Sequence, residues 1–479
     1  MTETTPDPHR WQALALVCTA MFMTILDVSI VNVALPSIGK SLDFSRDNLQ
    51  WVITAYAITY GGFLLLAGRL ADLFGRRRIF VIGVVVFSLA SLFCGLAWSE
   101  AALIIFRALQ GFGAAVITPS ALSIVMTTFE EGAERNKALG IWGALGGGGA
   151  AVGVLAGGVL TKYLGWEWIF YVNVPVGALA LALTPRFVRE SRSERETSQD
   201  FGGAVTVTAG LALLVYAVSK APDYGWNSGR TLGSIAGAVV LLLAFVGIEA
   251  RHRDPLMPFR IFRIQTVAGA NAGGLLLGGI IFANFFLLTL YVQQVLHYSA
   301  LRTGITFVAT AGSAVLWAGV AQALTTRFGV KPVLAVGFVG LIGANLWYTQ
   351  IPTHGSFAGA LLPGYLIMGF AIPFAFIPIS IAALAGVSHD EAGLASGLIN
   401  TAQQIGGAVG IAVCSSVSLT HFNNLIRTHG RSYFAQAFTS GTSWAFWVLV
   451  GISVVAFVAG LTLIRREELQ PGPEEAVVA

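Results

Sequence analysis

Long apolar runs alternate with short polar segments along almost the whole chain. A helix that crosses about 30 Å of hydrocarbon needs roughly 17 to 25 residues, and fourteen of the runs are long enough. The polar segments between them are too short to hold a soluble domain. The pattern therefore predicts an all-α membrane protein with fourteen transmembrane helices, at approximately 12–36, 49–70, 79–98, 101–126, 136–161, 167–185, 202–220, 231–249, 265–295, 302–325, 332–350, 356–384, 395–418 and 441–464.

The first six and the last six runs share short sequence landmarks, which predicts an internal duplication. The segment RLADLFGRRR at 69–78 returns as ALTTRFGVKP at 323–332, 254 residues later, and Gly149 is matched by Gly406 at an offset of 257. Duplicated halves are typical of secondary transporters, whose substrate site lies between the repeats. We expect an N-terminal six-helix bundle, two inserted helices with charged connectors, and a C-terminal six-helix bundle with a cytoplasmic tail, at 1–190, 191–263 and 264–479.

Composition and charge agree with a membrane protein and predict its orientation. Hydrophobic residues make up 55% of the chain and charged residues only 11%, against about 25% in soluble proteins. Of the 28 Lys and Arg residues, 19 lie on the side of the N-terminus, 8 on the other side and one within a run. The positive-inside rule then places both termini in the cytoplasm. This distribution accounts for the net charge of +4, so we expect no nucleic-acid partner.

The N-terminus of the chain and the connector after the insert each carry a further signal. The N-terminus has no basic region followed by a small-residue cleavage site, so we expect the first helix to be retained. The connector that follows the second inserted helix, RHRDPLMPFRIFR at 251–263, mixes apolar side chains with arginines. It either lies flat at the lipid headgroups or is a solvated charged linker.

Two ionisable side chains stand well inside the predicted helices, Asp27 and Arg107. A charge at such depth costs several kcal/mol unless it is paired or hydrated, so it is a functional candidate. At 1.5 Å per residue both lie roughly 9 to 14 Å below the outer surface, and they can meet if the first and fourth helices are neighbours. A carboxylate balanced between burial and a nearby cation can gain and lose a proton, which makes Asp27 the candidate proton carrier. The alternative is a static buried salt bridge that fixes helix register.

Three motifs together resemble one family. They are LDVSIVNVALP at 26–36, GRLADLFGRRR at 68–78 and RALQGFGAA at 107–115, and they are similar to signatures of the fourteen-span drug:proton antiporter branch of the major facilitator superfamily, the EmrB/QacA-like multidrug exporters. The resemblance covers nearly the whole chain and implies the major facilitator fold, with two six-helix bundles plus two inserted helices. One position departs, because Val154 stands where the fifth-helix motif of antiporters normally has proline, so the proline kink is lost.

The same resemblance implies a cytoplasmic latch between the second and third helices. There Asp72 would contact a helix N-terminus or an arginine, and would release as the transporter changes conformation. A carboxylate at a helix N-terminus is favoured by the helix dipole by roughly 0.3 to 1 kcal/mol. The other latch residues are Gly68, Gly75, Arg76 and Arg77. The arginines could instead be topology signals only.

Glycines in the fifth run predict a helix-packing seam. They are Gly149, Gly153, Gly157 and Gly158. Small residues let membrane helices approach closely. We expect this seam to pack against a helix of the other half, with Gly406 and Gly410 of the thirteenth run as its mate. The alternative is flexibility on a lipid-facing surface.

Amides, hydroxyls and aromatic rings within the runs are candidates for lining a substrate cavity. An unpartnered amide is costly in lipid, and aromatic walls suit a bulky amphipathic molecule. In the fourth helix, Gln110 and Thr118 follow Arg107 on one face. The full set of candidates is Asn32, Tyr56, Gln110, Thr118, Asn284, Phe285, Gln293, Phe374, Asn400 and Gln404. Simple packing is the alternative role for the aromatic residues.

These features lead us to expect a proton-coupled secondary transporter that exports amphipathic drugs or antibiotics by alternating access. We expect no enzyme activity, metal or cofactor beyond the proton gradient, because the chain lacks a GxxxxGK[ST] phosphate loop and metal-ligand spacings. The alternatives are a proton-driven transporter of another solute or lipid with the same fold, and a non-transporting membrane sensor. We expect a monomer in the inner (plasma) membrane, with substrate, protons and lipid as its partners.

Overall fold

A computed structural model describes residues 8–45, 47–129, 133–192, 200–387 and 392–465, and within these ranges every regular element is helical. Residues 193–199 of the first charged connector and the tail predicted after residue 465 lie outside the described residues. The α-helices, in chain order, are α1 (Arg10–Ser41), α2 (Trp51–Phe74), α3 (Arg76–Gly95), α4 (Glu100–Thr128), α5 (Ala133–Tyr163), α6 (Trp168–Tyr171), α7 (Asn173–Phe187), α8 (Phe201–Tyr224), α9 (Gly229–Arg251), α10 (Gln265–Gln294), α11 (Ala300–Phe328), α12 (Val330–Tyr348), α13 (Leu362–Leu384), α14 (Ala392–His429) and α15 (Phe434–Leu463).

The helices reproduce the predicted series of membrane spans. Thirteen helical segments of the described chain are long and apolar enough to cross a bilayer. The predicted span at 136–161 coincides with α5, in which Val152–Tyr163 forms a shorter apolar segment. The all-α prediction is confirmed, and the predicted count of fourteen spans is roughly consistent with the thirteen in the described chain. The largest difference in length is at α14, predicted at 395–418, because this helix continues into polar residues beyond its apolar part.

The sixth predicted span, 167–185, is broken into α6 and α7 at Val172. Pro175 explains the break, because its nitrogen cannot donate to the carbonyl of Tyr171 and its ring crowds that oxygen. As a result, Asn173 becomes the first residue of α7, and its side chain is almost completely buried.

One compact unit of the chain comprises Met1–Thr208, Arg251–Leu256 and Ser299–Gly304. Its main helix pairs are α1 with α5, α2 with α4, and α3 with α4. The approach of α3 to α4 is close because Gly113 lies against the backbone of Phe87, where a Cβ atom would collide. This packing holds α1, α2, α3 and α4 around the buried polar side chains described below.

The second compact unit comprises Ala209–Ala250, Met257–Tyr298 and Ile305–Ala479. Its main helix pairs are α10 with α14 and α12 with α13, and α15 packs on both α10 and α12. The first helix of this half therefore packs on the fifth and the third on the fourth, as α1 packs on α5 and α3 on α4 in the first unit.

The internal duplication is also present in the backbone conformation. The described chain has two non-glycine residues with positive φ, Asp43 and His297, and they are 254 residues apart. Gly75 and Gly329, which precede α3 and α12, also have positive φ and stand at the same offset. Because non-glycine residues rarely adopt this conformation, its return at one spacing indicates related turns.

The two inserted helices, α8 and α9, pack on each other through small residues. Gly210 of α8 lies against Leu242 of α9, and Gly237 of α9 lies against Leu213 of α8. These contacts form the hairpin that the sequence predicts at 202–220 and 231–249.

The connector after α9 packs on the C-terminal part of α2. Arg69 donates hydrogen bonds to the carbonyl oxygens of Asp254 and Pro255. Leu256 is buried, and it forms an apolar cluster with Leu66 and Ala204. This part of the connector is therefore held by protein contacts, so a fully solvated linker is wrong for it.

Candidate functional site

Asp27 of α1 and Arg107 of α4 form an ion pair in the protein interior. The Arg107 Nη1 and Asp27 Oδ2 atoms are 2.5 Å apart. The Asp27 side chain is 0% exposed and the Arg107 side chain 1%. An ion pair shut away from water is strong only when further hydrogen bonds satisfy its remaining atoms, so the neighbours decide what this pair can do.

The second oxygen of Asp27 is held by two carboxamides. Gln110 Nε2 donates to Asp27 Oδ1 at 2.8 Å, and Asn173 Nδ2 donates to the same atom at 3.2 Å. Both amide nitrogens also donate to Ser91 Oγ, at 3.1 and 3.0 Å. The Ser91 hydroxyl in turn donates to the carbonyl of Phe170 at 2.9 Å. Side chains from α1, α3, α4 and α7 thus converge on one carboxylate.

Arg107 has partners of its own beside the carboxylate. Its Nε donates to the Val52 carbonyl at 2.8 Å, and its Nη1 donates to Gln110 Oε1 at 2.6 Å. The guanidinium carbon lies 4.5 Å from the centre of the Tyr56 ring, a cation–π contact. Gln110 and Tyr56, which the sequence suggested as substrate-lining residues, contact the ion pair in this conformation.

The charge balance of this network depends on the protonation state of Asp27. In the ion-paired form the two charges cancel, and every neighbour of the Asp27 carboxylate named above is a hydrogen-bond donor. A proton on Asp27 would leave the Arg107 charge without its counterion in a site closed to water. Such a change in a buried network is large enough to favour a different arrangement of helices, since breaking a buried pair costs about 3 to 5 kcal/mol.

Asn173 and Ser91 are functional candidates that sequence reasoning missed. Neither is charged, so neither stands out among fourteen apolar runs. For Asn173 a signal was available, because it lies two residues before Pro175 in an apolar run. An amide side chain is costly in lipid, and so is the backbone carbonyl that a proline leaves without its hydrogen bond, unless each meets a polar partner.

The predicted latch loop is organised by two acidic residues. Asp72 Oδ1 accepts hydrogen bonds from Arg76 Nε and Nη2, at 3.1 and 3.0 Å, and lies 3.4 Å from Ser123 Oγ. The backbone N–H groups at the start of α3 are bound instead by Glu190, which accepts from Arg77 N at 3.1 Å and from Arg78 N at 3.2 Å. Sequence reasoning assigned a helix N-terminus or an arginine to Asp72; the structure gives Asp72 the arginine and Glu190 the helix N-terminus.

Of the two glycines of the latch motif, Gly75 meets a steric requirement and Gly68 does not. Gly75 has φ of 105° at the junction of α2 and α3, a conformation that favours glycine. Gly68 lies against Pro119 of α4, at ordinary contact distance for an added Cβ atom.

The glycine seam exists, but its predicted partner is wrong. Gly149, Gly153 and Gly157 lie against α1, where added Cβ atoms would meet Ile25, Ser29 and the Ile30 carbonyl. Gly406 and Gly410 lie against Leu275 and Gly279 of α10. Each set therefore packs within its own half. Gly158 lies against Ala300 and Leu301, at the start of α11, and not against the predicted glycines of α14. Glycine spacing defines one helix face but does not identify the helix that fills it.

The remaining substrate-lining candidates occupy separate places. Thr118 lies 3.0 Å from the Tyr60 hydroxyl, and Asn32 donates to the Val28 carbonyl of its own helix. Asn284 donates to Asn345 at 2.8 Å. Their cavity-lining role stays a prediction.

The aromatic and amide candidates of the second unit are divided between ring clusters and helix contacts. Phe285 packs on Phe307 with ring centres 4.9 Å apart, and Phe374 packs on Phe370 at 4.4 Å. Asn400 donates to the Ser396 carbonyl, Gln404 is 9% exposed, and Gln293 is partly buried near the end of α10.

No group of three or more His, Cys, Asp or Glu side chains that could hold a metal ion occurs among the residues that the structure describes. Thirteen long apolar helices in the described chain, most of them in two related halves, with an ion pair enclosed in the first half, define a multi-pass membrane transporter of duplicated architecture. The chain belongs to the Major Facilitator Superfamily, whose sequence model matches residues 17–411. The family expected from the three sequence motifs is thereby confirmed.

Three proteins similar to this chain are a resistance protein, an export protein and a transporter. The chain is 38% identical to the puromycin resistance protein pur8 of Streptomyces alboniger, over 95% of this chain and 92% of the relative. It is 39% identical to the cephamycin export protein CmcT of Amycolatopsis lactamdurans, over 85% and 84%. It is 35% identical to the uncharacterized MFS-type transporter EfpA of Mycobacterium tuberculosis, over 92% and 84%.

Solved structures agree on the fold. A bacterial homologue of the human lysosomal transporter Spinster, in an inward-facing and unoccupied conformation, is similar with a TM-score of 0.69 and 19% identity, over 98% of this chain and 100% of that chain. The nucleoside transporter NupG is similar with a TM-score of 0.64 and 14% identity, over 96% and 100%. At these identities the likeness concerns the fold alone.

Proposed function

We propose that this transporter exports amphipathic drugs or antibiotics across the plasma membrane in exchange for protons, by alternating access. Asp27 carries the proton, and Arg107 pairs with the carboxylate when the proton is absent. The names of the relatives support the substrate class, since they include a puromycin resistance protein and a cephamycin export protein.

The enclosed Asp27–Arg107 pair is the observation that carries the proposal. A transporter driven by protons needs a group that binds one in one conformation and releases it in another. An intramembrane carboxylate whose counterion comes from a different helix meets that need, because protonation alters the attraction between α1 and α4.

The orientation and setting of the transporter follow from the same reasoning. The excess of Lys and Arg on one side supports cytoplasmic termini in the inner (plasma) membrane. We propose that the chain works as a monomer, with the proton gradient as its energy source and without a cofactor. In the latch, Asp72 and Arg76 separate as the cytoplasmic side opens.

Proton coupling is tested with purified protein in liposomes that contain a pH-sensitive dye. Addition of a transported amphipath should release protons from one side of the membrane in the wild type. Asp27→Asn should abolish this proton movement while the protein still inserts. Asp223→Asn is the matched control, because Asp223 is 40% exposed and lies outside the pair. Proton movement at the wild-type rate in Asp27→Asn would remove Asp27 from the mechanism.

A proton-driven transporter of another solute or of a lipid is the second candidate, and Val154 is the observation that favours it. Antiporters resembling this chain normally have proline there. In this chain the Val154 side chain is buried and its carbonyl faces Gly304, so the helices approach closely without a proline. Counterflow of labelled substrate in inverted vesicles distinguishes export from uptake.

A further inference from the structure

Each hydrogen bond that the structure gives the Asp27 carboxylate comes from a side chain that donates. Arg107 faces one carboxylate oxygen, and the nitrogens of Gln110 and Asn173 face the other. A carboxylate accepts all three hydrogen bonds, but a carboxylic acid carries an O–H group that itself needs an acceptor. In the observed arrangement the pocket fits the charged form of Asp27 and leaves a bound proton without a partner.

Two neighbours fix the direction in which the carboxamides point. Arg107 can only donate, so the short contact from its Nη1 holds the Gln110 oxygen on the Arg107 side. The Ser91 hydroxyl donates its hydrogen to the Phe170 carbonyl, so its oxygen can only accept hydrogen bonds from the two amides. Gln110 is therefore locked as a donor to Asp27 as long as Arg107 stays in place.

Asn173 is held less firmly than Gln110. The hydrogen bonds of its side chain in the described part of the chain both run through Nδ2, to Asp27 and to Ser91. A half-turn of its carboxamide would bring the oxygen to Asp27 at the cost of the hydrogen bond from Nδ2 to Ser91, and it would disturb no contact of Arg107. Asn173 also begins α7, directly after the break at Val172. A change in its hydrogen bonds therefore acts at the break in the sixth span.

We propose that Asn173 is a positioning residue that reads the protonation state of Asp27. It donates to the carboxylate in the ion-paired state and turns to accept from the carboxylic acid when the proton arrives. The proton moves only between water and the Asp27 carboxyl, and no covalent bond of Asn173 is made or broken. This inference rests on the proposed function, because it requires that Asp27 be protonated during transport.

Infrared difference spectroscopy of the purified protein during a pH titration tests the inference without any substrate. The carbonyl stretch of protonated Asp27 is identified as the band that Asp27→Asn lacks. In Asn173→Leu, we expect this band at a higher frequency than in the wild type, because leucine offers the acid no acceptor, whereas Asn173 accepts from it in the proposed protonated state.

Ser91→Ala serves as a second variant if Asn173→Leu does not fold. It removes the acceptor that holds the Asn173 amide nitrogen, so the carboxamide should turn more readily towards the acid and the band should move to a lower frequency than in the wild type. Asn345→Leu is the matched control, because Asn345 is a fully buried amide bonded to Ser453 at 3.2 Å in the other unit. It should lower thermal stability without moving the band.

The outcomes separate the two proposals. If the wild type shows the band of protonated Asp27 but neither Asn173→Leu nor Ser91→Ala changes its frequency, the positioning role of Asn173 is wrong and the proton carrier stands. If the wild type shows no titrating Asp27 band and no proton movement in liposomes, the proposed function fails, and the inference about Asn173 fails with it.

Discussion

Removal of Arg107 should expose the cost of the charge on Asp27. In Arg107→Met the carboxylate keeps its donors from Gln110 and Asn173 but loses its counterion in a site with 0% exposure. Breaking one side of a buried ion pair costs about 3 to 5 kcal/mol. Part of that cost arises from the hydrogen bond that Arg107 makes to the Val52 carbonyl, which contributes about 1 kcal/mol. The remainder, about 2 kcal/mol or more, belongs to the uncompensated charge.

A double variant isolates this remainder. Asp27→Asn combined with Arg107→Met should be more stable than Arg107→Met alone by about 2 kcal/mol at pH 8, measured by unfolding in detergent. Arg10→Met is the control, since Arg10 pairs with Glu134 at an exposed site, and it should change stability little. Equal stability of the single and double variants at pH 8 would refute the reasoning.

Three further predictions concern other parts of the fold. Gly153→Ala should impair folding or transport, because its Cβ would collide with Ser29 of α1, whereas Gly343→Ala has open space and should be tolerated; membrane yield and transport rate measure both. Arg69→Ala should increase hydrogen exchange at 254–256, since it removes donors to the connector, and unchanged protection would contradict that contact. Glu190→Gln should lower the free energy of unfolding by about 0.3 to 1 kcal/mol, because it weakens the cap at the N-terminus of α3.

The sequence predicted the helices and the ion pair for one physical reason. Apolar side chains must cover about 30 Å of lipid contact, so the spans are visible as runs, and a charge within a run is conspicuous. The depth of Asp27 and Arg107 could be calculated from helix rise alone. Their meeting required one further assumption, that α1 and α4 are neighbours, which the structure supplies with a contact of 2.5 Å.

The parts that the sequence did not predict depend on which helices face each other. Glu190 lies in a charged connector where any acid looks solvated, and only the fold brings it to the start of α3. The glycines of α5 define a smooth face, but Gly153 meets Ser29 of α1 rather than the other half. The break before Asn173 follows from Pro175, yet the partner of Asn173 becomes visible only in three dimensions.

The second half of the molecule bears on the choice between a static salt bridge and a proton carrier. There Asn284, Asn345 and Ser453 of α10, α12 and α15 form a buried cluster, with Asn284 donating to Asn345 at 2.8 Å and Asn345 donating to Ser453 at 3.2 Å. It joins the first, third and sixth spans of its half, as Asp27, Ser91 and Asn173 do in theirs.

The correspondence between the two clusters extends to sequence position. The offset of 254 that relates Gly75 to Gly329 also relates Ser91 to Asn345. Neutral hydrogen-bonding groups are therefore sufficient to tie these three spans together, and they avoid most of the desolvation cost of a buried ion pair. If Asp27 served only to fix helix packing, its charge would add cost without need. A charge retained where neutral groups suffice is better explained by the one property that amides lack, the ability to bind and release a proton.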